Sequence, residues 1–257
     1  MRITIKIGSN VLTRPDGSLD ATRLSALVDQ VAELRRRGTE VVMVSSGAVA
    51  CGRSVLAHRQ DLQTKDNVDE RQLFSAVGQA KLIDRYYELF REQGIIVGQV
   101  LTMKENFASP EAYRTQQNCM EVMLQNGVIP IINENDTVCV TELMFTDNDE
   151  LSGLVARMMQ CQRLIILSNI DGLYTGHPDH PESQLIRRVS PDDDLRHVIS
   201  TEKSSAGRGG MESKYHIATE TARAGIEVVI ANGKRPDILL QLMDHPDTTP
   251  HTLFAST

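Results

Sequence analysis

Short apolar runs rich in Ile and Val recur along the chain at residues 3–7, 40–44, 95–101, 128–132, 164–167 and 226–230. Runs of this length without polar alternation predict parallel β-strands buried on both faces. Between them the apolar positions shift to a helical period. The clearest case is Leu24, Leu27, Val28, Val31 and Leu34, which share one face of a helix that Asp20 can cap and Gly38 can end. Further helices are predicted over 70–90, 110–125, 148–161 and 211–224.

Strand and helix alternate over nearly the whole chain, which is the pattern of a mainly parallel open sheet covered by helices on both sides. A three-layer α/β/α sandwich is therefore expected. No repeat, low-complexity segment or Pro/Gly/Ser linker divides the chain, so residues 1–257 read as a single domain. The polar segments 58–69 and 200–210 read as loops with the character of lids. In open α/β sheets ligands sit beyond the carboxyl ends of the strands, so chemistry is sought just after each apolar run.

Those strand mouths carry most of the polar motifs. The first is Lys6-Ile7-Gly8-Ser9-Asn10, a cation followed by a Gly that lets backbone approach a phosphate, or else an ordinary turn. The second, Ser45-Ser46-Gly47-Ala48, opens a helix whose free N–H groups suit an anion, unless the serines simply cap it. Asn133-Glu134-Asn135-Asp136 follows the fourth run, with more amides and carboxylates than a turn needs, and suits an ammonium group or a ligand with several hydrogen-bonding groups. In Asp147-Asn148-Asp149-Glu150 the first and last residues have capping-box spacing, which leaves Asn148 and Asp149 as candidates, or else as ordinary dipole partners of a first helical turn. Ser168-Asn169 and the turn Asp171-Gly172 end the fifth run. Finally, Gly207-Arg208-Gly209-Gly210-Met211-Glu212-Ser213-Lys214 leads a glycine-rich loop into a helix, as polyphosphate binding requires, although its spacing is not that of a Walker A loop.

Charge and composition remove other classes. With 34 acidic and 27 basic residues the net charge is −7, which argues against a chain built to grip nucleic acid. Aromatic residues amount to 4% without any Trp, so a base-stacking platform is not expected either. Cys51, Cys119, Cys139 and Cys161 are widely spaced with no C-x-x-C, as suits reduced thiols in a cytoplasm. The first apolar run is too short for a signal-peptide core or a membrane span, so a cytoplasmic protein without membrane contact is expected. H-E-x-x-H and G-x-S-x-G are absent, and His177-Pro178-Asp179-His180-Pro181 reads as a solvated loop rather than a metal site.

Taken together, Lys6-Ile7-Gly8-Ser9, Val44-Ser45-Ser46-Gly47-Ala48, Ile132-Asn133-Glu134-Asn135-Asp136, Asp147-Asn148-Asp149-Glu150-Leu151-Ser152, Asp171-Gly172-Leu173-Tyr174-Thr175 and Gly209-Gly210-Met211-x-x-Lys214 resemble the glutamate 5-kinases of the amino acid kinase superfamily. The resemblance extends over essentially all 257 residues, including Ser75-Ala76-Val77-Gly78-Gln79 in the second long helix. It implies phosphoryl transfer from ATP, with Mg²⁺, to L-glutamate. It also implies that Lys6 and Lys214 contact phosphate, that Asp149 holds those lysines, and that Ser46, Gly47, Asp136 and Asn148 bind the amino acid. Nucleotide contacts would come from Lys6, Gly8, Ser168, Asn169 and the stretch Arg208, Gly209, Gly210, Met211, Glu212, Ser213 and Lys214. Here Ser168-Asn169 stands where Thr-Asp is frequent, Arg208 where Thr is frequent, and Thr146 where Gly is common. L-Proline as a feedback ligand and a homo-oligomeric state are further expectations of the resemblance. So is a kinase domain without the C-terminal RNA-modification-like (PUA) domain of many relatives. Another small-molecule kinase of the superfamily and a non-catalytic glutamate or proline sensor are the alternatives.

Overall fold

The computed structural model describes residues 1–59, 61–62, 66–138, 145, 147–195 and 210–257. In chain order the elements are β1 (Arg2–Ile7), α1 (Ser9–Leu12), α2 (Ala21–Arg36), β2 (Glu40–Ser45), α3 (Ala48–Leu56), α4 (Asn67–Glu92), β3 (Ile96–Thr102), α5 (Glu105–Ala108) and α6 (Pro110–Gln125). They continue with β4 (Val128–Glu134), α7 (Asn148–Met158), β5 (Arg163–Ser168), β6 (Arg188–Val189), α8 (Met211–Arg223), β7 (Glu227–Asn232), α9 (Ile238–Asp244) and β8 (His251–Phe254). Among the described residues, eight strands form one sheet in the order β3-β4-β2-β1-β5-β7-β8-β6. Neighbours pair in parallel except β7 with β8.

The order explains where a ligand belongs. The chain runs from β1 outward to β2 on one side and later returns to place β5 on the other. Consecutive crossovers therefore diverge at β1, and a crevice opens beyond its carboxyl end. The sheet separates two cores. On one face Ile3, Ile5 and Ile7 pack with side chains of α2, α4 and α9, including Leu27, Val31, Tyr86, Phe90 and Leu239. On the other, Val42, Val44, Leu164 and Ile166 pack with α6, α7 and α8. Each fully buried Ile of β1 contributes about 1.5–3 kcal/mol relative to exposure.

Local signals act as read from the sequence at several element ends. Asp20 accepts from the Arg23 N–H at the start of α2, and Gly38 follows its end at φ +84°. The strand over 95–101 departs from expectation: β3 lies at the sheet edge, with Ile96 62% and Leu101 39% exposed, so it is not buried on both faces. Helices α3 and α4 touch through backbone. A Cβ on Gly52 would stand 1.8 Å from the Phe74 carbonyl oxygen, and one on Gly78 1.8 Å from that of Ala48. Only glycine at both positions permits this approach, which fixes α4 over the loop that ends β2.

Candidate active site

Alternation along β1 decides which way its one lysine points. Ile3, Ile5 and Ile7 face the α2 and α4 layer, so Thr4 and Lys6 face the opposite layer containing α7. There Thr4 Oγ1 lies 3.2 Å from Cys161 Sγ, and Lys6 reaches the first turn of α7. Lys6 Nζ forms an ion pair with Asp149 Oδ1 at 2.6 Å. From the first turn of α8, Lys214 Nζ donates to Asp149 Oδ2 at 3.0 Å. Both ammonium groups thus share one carboxylate, with residue exposures of 5%, 1% and 9% for Lys6, Asp149 and Lys214.

Electrostatics follow from that arrangement. Burial alone would raise the Asp149 pKa, but the charges of Lys6 and Lys214 outweigh it and hold the group at about 2. Asp147 differs because it has no such pair of cations. Burial, then the neighbouring charge of Asp149, raises it, while the Ser213 hydroxyl and the Glu150 N–H act in the opposite sense. Its Oδ1 accepts from the N–H groups of Asp149 and Glu150, capping α7, and its Oδ2 accepts from Ser213 at 2.7 Å. Asp147 therefore locks the starts of α7 and α8 together. Half of the expected capping box is realised in this way, whereas the Glu150 carboxylate pairs with Lys104 at 3.0 Å.

Elsewhere the wall of the crevice combines a chain of neutral groups with the ion pairs of Arg71. Asn148 Nδ2 donates to Ser46 Oγ at 2.8 Å and to Asn133 Oδ1 at 3.0 Å, and Asn133 Nδ2 donates to Gln79 Oε1 at 2.7 Å. Neither serine caps α3: Ser45 bonds the Ser46 carbonyl and Tyr86, and Gly47 takes the N-cap at φ +108°. This left-handed turn favours glycine and aims the first N–H groups of α3 into the crevice. Asp136, at the mouth of β4, is held by Arg71 from α4.

A cavity of about 490 Å³ joins the two ends. The structure brings Lys6, Gly8, Ser46, Gly47, Asp136, Asn148, Asp149, Ser168, Asn169 and Lys214 together at its wall. Gly210, Met211, Glu212 and Ser213 form the start of α8 and stand outside the lining set. Arg208 and Gly209 lie outside the described residues, as do Thr146, Cys139 and most of the glycine-rich segment 200–210. The polar segment 58–69 is described only in part. Sequence reasoning missed Arg53 and Arg71, which line the cavity from helices rather than from strand mouths. Beyond β5, Asp171 is bound by the Arg235 guanidinium through two contacts of 2.7 Å, which holds its carboxyl below the usual range.

The donor set suits phosphate. At Gly8 a Cβ would stand 3.1 Å from the Leu167 carbonyl oxygen and 3.4 Å from Lys6 Nζ, in space beside the buried cation pair. Among the described residues no group of three His, Cys, Asp or Glu side chains is arranged to hold a metal ion. Among the described residues no helix is long and apolar enough to cross a membrane.

Open α/β/α topology, ligand groups at the β1 switch point and a buried pair of lysines together define a phosphoryl-binding enzyme fold. The chain belongs to the amino acid kinase family, whose model matches residues 1–232. Within that family it is 62% identical, over 98% of its length, to the glutamate 5-kinase of Bacteroides thetaiotaomicron and spans 69% of that protein. It is 43% identical to the glutamate 5-kinase of Chlorobaculum tepidum over 93% of its length, spanning 65% of that relative. The glutamate 5-kinase of Symbiobacterium thermophilum is 44% identical over 94% of this chain, which spans 92% of it. Among solved structures, an isopentenyl phosphate kinase superposes with a TM-score of 0.68 at 16% identity, covering 99% of this chain and 100% of that one. UMP kinase from Ureaplasma parvum gives 0.65 at 14% identity, covering 99% of this chain and 98% of that one. At such identities the structural likeness establishes the fold alone.

Proposed function

We propose that the chain is a phosphotransferase that moves the γ-phosphoryl group of ATP to the γ-carboxylate of L-glutamate, forming L-glutamyl 5-phosphate for proline biosynthesis. The observation that carries this reading is the sharing of Asp149 by Lys6 and Lys214 at the switch-point cavity. The substrate is taken from the relatives named as glutamate 5-kinases.

The chemistry needs no general base. A glutamate γ-carboxylate has an ordinary pKa near 4.3, so at neutral pH it is already an anion and a nucleophile. What opposes reaction is the approach of that anion to an anionic phosphate, together with charge redistribution during transfer. Each lysine ammonium has three donors, and Asp149 uses only part of them. Lys6 and Lys214 are therefore placed to contact the transferring phosphoryl group while Asp149 keeps both in register. Because all three side chains are shielded from water, their electrostatic effect is less screened than on a surface. Mg²⁺, when bound with ATP, supplies further neutralisation of phosphate charge. The N–H groups at the start of α3, whose first residues line the cavity, add fixed dipoles for anionic ligand groups.

At the opposite end, Asp136 suits the substrate ammonium, while Ser46 and Asn148 supply neutral hydrogen bonds for the amino acid. An N-acetylated substrate lacks that ammonium and fits Asp136 poorly. The reading also includes L-proline as a second ligand of the amino-acid end, since its amine and carboxylate occupy one carbon as in glutamate. The test is ATP- and Mg²⁺-dependent acyl phosphate formation, trapped by hydroxylamine as the γ-hydroxamate. Product is expected from L-glutamate and not from N-acetylglutamate or L-aspartate; product from either of the latter in preference to glutamate would overturn the substrate assignment.

A further inference from the structure

We propose that Arg71 reads the α-carboxylate of the amino-acid substrate and thereby fixes which of its two carboxylates is presented for phosphorylation. This rests on the glutamate reading above and deepens it.

Arg71 lies in the early part of α4, and its Nε and Nη2 both donate to Asp136 Oδ1, at 3.0 and 2.5 Å. Nη2 is also 3.6 Å from Glu134 Oε2. Ser75, one helical turn further along α4, stands 3.5 Å from Asp136 Oδ2. Helix α4 therefore sets two side chains on one carboxylate. The Asp136 side chain is 6% exposed and that of Arg71 is 25% exposed, and both line the cavity. Arg71 Nη1 makes no hydrogen bond to a described residue.

An ion pair taken out of water contributes little net stability, because desolvation offsets the Coulomb gain. Its place on the cavity wall has a chemical rationale instead. An α-amino acid carries an ammonium and a carboxylate on one carbon, and a carboxylate held beside a guanidinium is the complementary pair. A guanidinium offers five N–H donors in a planar fork, so Arg71 can keep Asp136 and receive a second carboxylate. The functional consequence is regiochemical. L-Glutamate has two carboxylates, and either could seek the Lys6–Lys214 end. A separate cation beside the ammonium site retains the α-carboxylate, which leaves the γ-carboxylate to reach the phosphoryl group.

The test compares kcat/KM for L-glutamate with that for its α-amide, isoglutamine, which retains the amine and the γ-carboxylate but lacks the α-charge. Hydroxamate formation is measured with the wild-type chain, R71Q, R71K and R53Q. A charge-assisted pair of this kind should give the wild type a preference for glutamate of about 10- to 100-fold. R71Q should lower that preference to about twofold or less, and R71K should keep part of it because charge survives without the fork. Taking the ratio removes any general loss caused by movement of Asp136, which would affect both compounds alike. The proposal is overturned if R71Q and R71K both keep the wild-type preference, if the wild type shows none, or if R53Q abolishes it and R71Q does not. Absence of γ-hydroxamate from the wild type with either compound overturns the glutamate reading itself and is seen before any variant is made.

Discussion

Asn148 and Asp149 are adjacent in sequence and both line one cavity, yet the first turn of α7 gives them different sets of partners, built on different principles. Asp149 joins two ammonium groups in a buried ionic cluster supplied by a strand and two helix starts. Asn148 enters a chain of neutral hydrogen bonds with Ser46, Asn133 and Gln79, and that end draws on α3 and α4 as well. The ionic end depends on every member, because removal of one partner strands a buried charge. The hydrogen-bond chain of Asn148 degrades gradually, since each hydrogen bond has a net worth of about 0.5–1.5 kcal/mol, whereas the Arg71–Asp136 pair beside it is ionic. Under the proposed function, stiff charge falls where the phosphoryl group moves and adjustable hydrogen bonding where the amino acid is chosen.

The sharpest way to break this contrast is Lys214→Ala. Loss of a donor that acts in the transition state should lower kcat by roughly 10²–10³-fold, with a much smaller change in the KM for glutamate, as steady-state kinetics would show. A defect confined to KM would move Lys214 to ground-state binding.

Asp149→Asn should reduce kcat by about 10²-fold and destabilise the fold by about 3–5 kcal/mol at neutral pH, measured by denaturant unfolding. The pH dependence has a definite sign. With its pKa lowered from the ordinary 3.8 to about 2, Asp149 contributes its full stability above pH 3.8 and loses it as the pH falls toward 2. The stability gap between wild type and D149N should therefore be constant from pH 7 to about 4 and shrink below that. A gap that closes already between pH 7 and 5 would remove the lysine pair as the cause.

Gly78→Ala tests the scaffold of the neutral end, since its Cβ would overlap the Ala48 carbonyl oxygen in α3. A cost of about 3 kcal/mol is expected, lowering Tm by roughly 5–10 °C. The KM for glutamate should rise more than that for ATP. Equal increases would show that α3 and α4 are not specific to the amino-acid end. The smallest effect is expected from Ser46→Ala, a rise in the KM for glutamate of about 3- to 10-fold from one lost hydrogen bond.

Much of this contrast was legible in the residues themselves. The buried runs announce the parallel strands because they have no polar face to lose, and Lys6 stands out as a charge within such a run. β6 and β8 escaped because two and four residues carry too little pattern, and the antiparallel return of β8 has no hairpin signal. β3 differs because an edge strand with Ile96 and Leu101 at exposed positions resembles an interior one in sequence. The ionic cluster was accessible since each member follows a strand or opens a helix. Arg71 was not, because it sits on the side of a helix that tertiary packing, with the close Gly52 and Gly78 contact, brings over a mouth 65 positions away.

The most direct test of the division between the two ends is to measure kcat and KM for glutamate side by side in Lys214→Ala and Ser46→Ala at saturating ATP. The account expects the first to lose mainly kcat and the second mainly KM. Loss of KM in Lys214→Ala with loss of kcat in Ser46→Ala, or the same profile in both, would contradict it.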